Sequence, residues 1–128
     1  MPDRKPIVPA GINANPAFSP GVQVGDLLYV SGQVAQDGEG NTVGIGDAAA
    51  QTRQVMSRIR TIVEAAGATM QDVVKITTFI VNIDDYPAFS QVRTETFPAD
   101  PPASSTVVVA GLVRPEFLVE VEAVVRVP

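Results

Sequence analysis

The chain contains neither cysteine nor histidine. Without cysteine there are no disulfides, no thiol nucleophile and none of the zinc patterns built on Cys. Without histidine there is no His-activated Ser or Thr triad, few transition-metal sites and no imidazole to act as a base near neutral pH. Acid–base chemistry is left to Asp, Glu, Lys and Tyr. Basic residues are also scarce, nine against fourteen acidic ones for a formal charge of -5. No cluster of Lys or Arg is dense enough to track phosphates, so nucleic acid is not an expected partner. No apolar run approaches the ~20 residues of a membrane span. The opening MPDRKPIVPAGI lacks the apolar segment of a signal peptide. The expectation is a cytoplasmic protein with no membrane partner.

What is present fits one domain over residues 1–128, with 45% hydrophobic and 18% charged residues. Met1 to Pro20 carries five prolines and reads as an arm with little regular structure, laid over the domain. In GVQVGDLLYVSGQVA, Gly25-Asp26 separates two apolar stretches and predicts a hairpin. The glycine-rich DGEGNTVGIG that follows reads as a loop, with its glycines as flexible spacing and no phosphate-binding signature. From Asp47 to Gly67, apolar residues at three- and four-residue spacing predict a helix of about five turns. Arg53, Arg58, Arg60 and Glu64 fall mostly on its wet side. DVVKITTFIVNI predicts a central strand. Asp84-Asp85-Tyr86-Pro87 predicts a second helix start, running through Phe89, Val92 and Phe97 to Pro98. Strands over Ser104 to Ala110 and Phe117 to Val127 complete the order.

Strands with two helices between them imply an α+β sheet with both helices on one face. Val107, Val109, Val119 and Val121 alternate with further apolar residues. The face away from the helices therefore needs cover, which self-association would supply.

Five segments in order resemble the RidA (YjgF-like) family, also called the L-PSP endoribonuclease family. They are Leu28-Tyr29-Val30-Ser31-Gly32-Gln33, Gln51-Thr52-Arg53-Gln54 leading to Ile62-Val63-Glu64-Ala65-Ala66-Gly67, Asp72-Val73-Val74-Lys75, Pro102-Ala103-Ser104-Ser105, and Val119-Glu120-Val121-Glu122-Ala123. The resemblance implies a chorismate-mutase-like (bacillus-type) fold with a mixed, mainly antiparallel sheet. It also implies a homotrimer with a small-molecule cleft at each subunit interface. The implied activity is hydrolysis of reactive enamines or imines derived from amino acids, with no metal or other cofactor.

The same resemblance implies an arginine where this chain has Ser104, a tyrosine at Gly21 and an asparagine at Ser90. The lost guanidinium is the largest departure, because a planar fork matched to a carboxylate contributes roughly 1.5–3 kcal/mol that Ser cannot supply. Glu122 aligns with the family's catalytic acidic residue, which positions or activates the attacking water, and Ser31 and Gly32 match as substrate-binding positions. Ser104, Ser105 and Ser90 are the further candidate substrate contacts. Read by residue type alone, Ser104 to Thr106 are strand-entry hydroxyls after a proline turn, and Glu120 and Glu122 form a solvated face. Arg114 reads as a surface charge and Lys75 as a snorkelling side chain. Two functions compete. One is an imine or enamine deaminase-type hydrolase with altered substrate choice; the other is a catalytically inactive, small-molecule-binding homotrimer. The ribonuclease reading in the family's older name finds no support in the acidic charge balance.

Overall fold

The computed structural model describes residues 3–128. Six strands form one sheet: β1 (Arg4–Ile7), β2 (Gly21–Val24), β3 (Leu27–Val34), β4 (Val73–Ile80), β5 (Ala103–Val108) and β6 (Val119–Arg126), with spatial order β1-β2-β3-β6-β4-β5. Every pairing is antiparallel except β4 with β5. The helices are α1 (Ala48–Ala65) and α2 (Tyr86–Thr96). Neither is long and apolar enough to cross a membrane.

The hairpin forms where Gly25-Asp26 was expected, with Val24 opposite Leu27 and Gly25 taking φ +60. Asp47 caps α1 by accepting from the Ala50 amide at 3.0 Å, and Gly67 ends it at φ +84. Pro87 sits in the first turn of α2, where its missing N–H costs nothing. The expected irregular arm is corrected in part. Arg4–Ile7 pairs with β2 as an edge strand, and Pro6 is tolerated there because an edge leaves one row of amides unpaired.

Alternation along β6 divides the sheet. Val119, Val121, Ala123 and Val125 are buried beneath the helices with Leu28, Val30, Ile76, Ile80, Ile59 and Ile62. Glu120, Glu122 and Val124 point the other way. The alternation left open which side Val119 and Val121 take, and the structure places them in the core. The uncovered face is still partly apolar. Tyr29 is paired with Val124, half-buried Phe79 with Val107, and Tyr29 and Val107 are exposed.

One position on β2 constrains the resemblance. A Cβ on Gly21 would meet Ile62 Cγ2 at 2.9 Å and Leu28 Cδ1 at 3.2 Å. Position 21 faces the core and cannot present a pocket side chain. Three residues earlier, Phe18 is exposed and lines the same cavity as Ser31 and Gly32.

Candidate functional site

Between β3 and β6 the register slips. Val30 pairs with Ala123 and Gln33 with Val121, so Ser31-Gly32 lies opposite Glu122 alone. This is a bulge of two residues against one, a device that bends a strand and re-aims its neighbours. Polar contacts from both sides hold it. The Ser31 amide and hydroxyl donate to Pro20 O (2.9 Å) and Ser19 O (2.6 Å), which ties down the N-terminal arm. Gln33 Nε2 donates to Ser31 O, and Gln33 Oε1 accepts from Arg58 Nε.

Arg58 corrects the reading of α1. It is 5% exposed, and its other donors reach Gln36 O, Asp37 O and Asn13 Oδ1. Burial lowers its pKa, and it contacts no carboxylate among the described residues. Its partners are carbonyls and amides that a wet arginine would leave to water. The guanidinium thus links α1, the bulge and the arm.

A cleft of about 720 Å³ opens above this bulge, and Ser31, Gly32, Phe18, Arg114, Glu120 and Glu122 are among the residues lining it. Glu120 and Glu122 share one face of β6, as their alternation predicts, but their surroundings differ. Glu122 is exposed and Glu120 is half-buried. The Glu120 carboxylate packs against the Cα of Gly32 so closely that any Cβ there would collide with it, with Cδ only 2.9 Å from the Cβ position. Burial, then the negative charge of Glu122, raises the Glu120 pKa. Glycine at 32 is what lets that carboxylate sit in the bulge.

The raised pKa has a stability consequence. A folded-state pKa above the unfolded value of about 4.3 means that the native state holds the proton more tightly. The Glu120 contribution to stability is therefore complete below that unfolded value and is lost as pH rises through the folded one. Glu120→Gln is expected to raise Tm by about 2–4 °C at pH 7, with the gain gone near pH 4. Thermal unfolding at both pH values checks this; a gain independent of pH would show that charge is not its cause.

Arg114 also departs from expectation. It stacks on Phe117, with its guanidinium carbon 5.1 Å from the ring centroid, and donates to Gly40 O at 2.8 Å. The glycine loop is thus a docking surface for the cleft's own cation. Buried Gln51 fixes the segment behind it: its Nε2 donates to Gly44 O and Glu116 O, and its Oε1 accepts from the Leu118 amide.

Ser104, Ser105 and Ser90 stand elsewhere. β5 runs parallel to β4 with Ser104 opposite Ile76 and Ser105 opposite Thr77, so Ser104 projects to the helix side and Ser105 to the cleft side of the sheet. Ser105 Oγ accepts from Lys75 Nζ at 2.8 Å. Ser104 Oγ accepts from Arg93 Nη1 at 3.0 Å, and Ser90 Oγ accepts from Arg93 Nη2 at 3.1 Å. A guanidinium therefore stands at position 104 after all, delivered from α2.

With this geometry in view, the relatives can be placed. Residues 9–127 match the Endoribonuclease L-PSP family. The chain belongs to that family. Among solved structures it is similar to the Rid-family protein YyfA of Yersinia pestis, at 31% identity and TM-score 0.92 over 98% of this chain and 100% of that one. It is similar to the YjgF gene product of E. coli, at 31% identity and TM-score 0.88 over 95% and 98%. A Thermotoga maritima protein of the same fold shares 33% identity and TM-score 0.86 over 93% of each chain.

In this L-PSP family member the expected site residues divide into two groups, with Ser105 in neither because it accepts from Lys75. Ser31, Gly32 and Glu122 meet in the cleft, joined by Glu120 and Arg114. Ser90 and Ser104 meet around Arg93. The spacing of Tyr86, Ser90 and Arg93, four and then three residues, already places them on one helical face. The role of Glu120 needed the strand register, which no local pattern carries.

Proposed function

We propose that the protein is a cofactor-independent hydrolase of small imines or enamines, working in the Ser31–Gly32 cleft with Glu120 as its acid–base group. The observation that carries the reading is the half-buried Glu120 carboxylate, seated against Gly32 with its proton held above the ordinary carboxylate range by burial and by Glu122. A raised pKa suits a carboxyl group to giving a proton and then taking one back.

Neutral Glu120 protonates the enamine carbon, leaving an iminium and a carboxylate. Water, losing a proton to that carboxylate, adds to the C=N carbon. Proton transfer to nitrogen and collapse of the carbinolamine release ammonia and leave the carbonyl product. Exposed Glu122 then serves to raise the proton affinity of its neighbour, and Arg114 offers the cleft a fixed cation. A homotrimer with the cleft at its subunit interface belongs to this reading. Exposed Tyr29 and Val107 on the uncovered face support it.

Ribonuclease chemistry, which the family's description names, is disfavoured by two cleft carboxylates and a net charge of -5, both repelling phosphate. The test is ammonia release from freshly generated 2-aminoacrylate and from neutral imines of similar size. Release faster than in buffer from any of them supports the assignment. Binding without release from all of them would favour the inactive binding trimer.

A further inference from the structure

Two arginines line the cleft, and they spend their donors differently. Arg58 engages all its nitrogens, on Gln33 Oε1, Gln36 O, Asp37 O and Asn13 Oδ1. Arg114 engages one. Its Nη1 donates to Gly40 O at 2.8 Å and to Thr42 Oγ1 at 3.4 Å, while Nε and Nη2 meet no acceptor among the described residues. The Nε–Nη2 edge is a planar fork that matches the two oxygens of a carboxylate.

No described carboxylate of the chain takes that edge. Glu116, the acid nearest in sequence, accepts from Thr42 Oγ1 at 2.9 Å through its Oε1. The ion pairs that do form, Arg53 with Glu95 and Arg126 with Asp26, lie outside the cleft. Arg114 is nevertheless held in place. The Phe117 ring beneath its guanidinium is 1% exposed, and the Phe117 amide donates to the Arg114 carbonyl at 3.1 Å. Gln51 anchors the same segment through Glu116 O and the Leu118 amide. The side chain is thus ordered on folding, and a ligand need not order it on binding.

Distance sets what could bridge this cation and the acid. Phe117 and Glu120 are separated by about 10 Å of extended chain. A hydrogen bond of about 2.9 Å at each end leaves about 4 Å, the span of a short carbon chain. Exposed Phe18 and Val113 line the same cleft, so such a chain meets apolar groups along its length. We propose that Arg114 determines the specificity of the cleft: its Nε–Nη2 edge receives a carboxylate at the end of the substrate remote from the C=N carbon. The preferred substrates are then imines or enamines of γ-keto acids over those of simple ketones. The identity of the reacting end rests on the hydrolase reading; binding of the remote carboxylate needs no turnover.

Levulinate, a γ-keto acid, is the probe, with methyl levulinate as its neutral counterpart. Both are titrated at constant ionic strength into the full chain labelled with nitrogen-15. The Arg114 Nε–Hε resonance is expected to move saturably with levulinate, with a Kd of order millimolar, and about tenfold more weakly with the ester. Arg114→Lys should weaken levulinate binding about tenfold by removing the planar fork. A saturable Arg114 shift without ammonia release from any imine would end the hydrolase reading and leave this subsite standing. The proposal is overturned if the wild-type resonance does not saturate, if the ester binds as tightly as the acid, or if the shift belongs to Arg58 or Arg93 and survives in Arg114→Gln. Should Arg114→Gln fail to fold, the wild-type resonance and Arg114→Lys decide the matter alone.

Discussion

Glu120→Gln is expected to lower the rate of ammonia release from a competent substrate by about 10²–10⁴-fold, while Glu122→Gln lowers it by less than about tenfold. The two carboxylates share a strand face and a cleft, so the contrast rests on environment. Glutamine at 120 keeps the shape that fits against Gly32 and removes the transferable proton. Glutamine at 122 removes only the neighbouring negative charge that helps to hold that proton. The pH dependence separates the roles further. Loss of the Glu122 charge lowers the Glu120 pKa, so the limb of the pH–rate profile where the acid deprotonates should move to lower pH in Glu122→Gln. Initial rates across pH 4 to 9 for the three proteins check both statements. If the 122 variant were the inactive one, the assignment of the acid to Glu120 would be wrong.

Phe117→Ala should lower stability by about 3–5 kcal/mol, because the ring is 1% exposed and its removal leaves a void that the backbone cannot close. For a domain of this length that is roughly 10–20 °C in Tm. The same ring lines the cleft and carries Arg114 on its face. Turnover should therefore fall even at temperatures where the variant remains folded. Phe117→Leu keeps most of the volume and loses the aromatic face, so its cost in stability should be well under half that of alanine. Differential scanning calorimetry of the two variants measures this. A loss below about 1 kcal/mol in the alanine variant would mean that the segment behind Gln51 collapses into the space, contrary to the rigid support seen here.

Much of the architecture was legible in local chemistry. Apolar spacing from Val55 to Val63, with Asp47 and Gly67 at the ends, marks α1 because a helix buries one face and its free amides need a cap. Gly25-Asp26 marks the hairpin because glycine reaches positive φ without strain. Glu120 and Glu122 had to share a face because a strand alternates. The pattern could not say which face Val119 and Val121 take, and only the packed helices place them in the core. An apolar residue in a strand records burial and not the direction of what buries it.

The candidate site depended on distant pairings. Gly32 is a matched substrate-binding position without a visible partner until β6 is set beside β3 and the bulge brings it under Glu120. Arg58 has the spacing of a wet-face residue until the arm and Gln33 close over it. Arg114 looks like a surface charge until Gly40, 74 positions earlier, accepts its proton. Ser104 signals a missing cation until α2 brings Arg93 to it. Sequence alone determined the elements from β2 to β6 and their order, though not the edge strand β1, and the absence of thiol and imidazole chemistry, since these follow from neighbours along the chain and from composition. Which carboxylate is desolvated and which arginine lacks a counter-ion were decided only by tertiary structure, because both depend on groups far apart in sequence that the sheet register brings together.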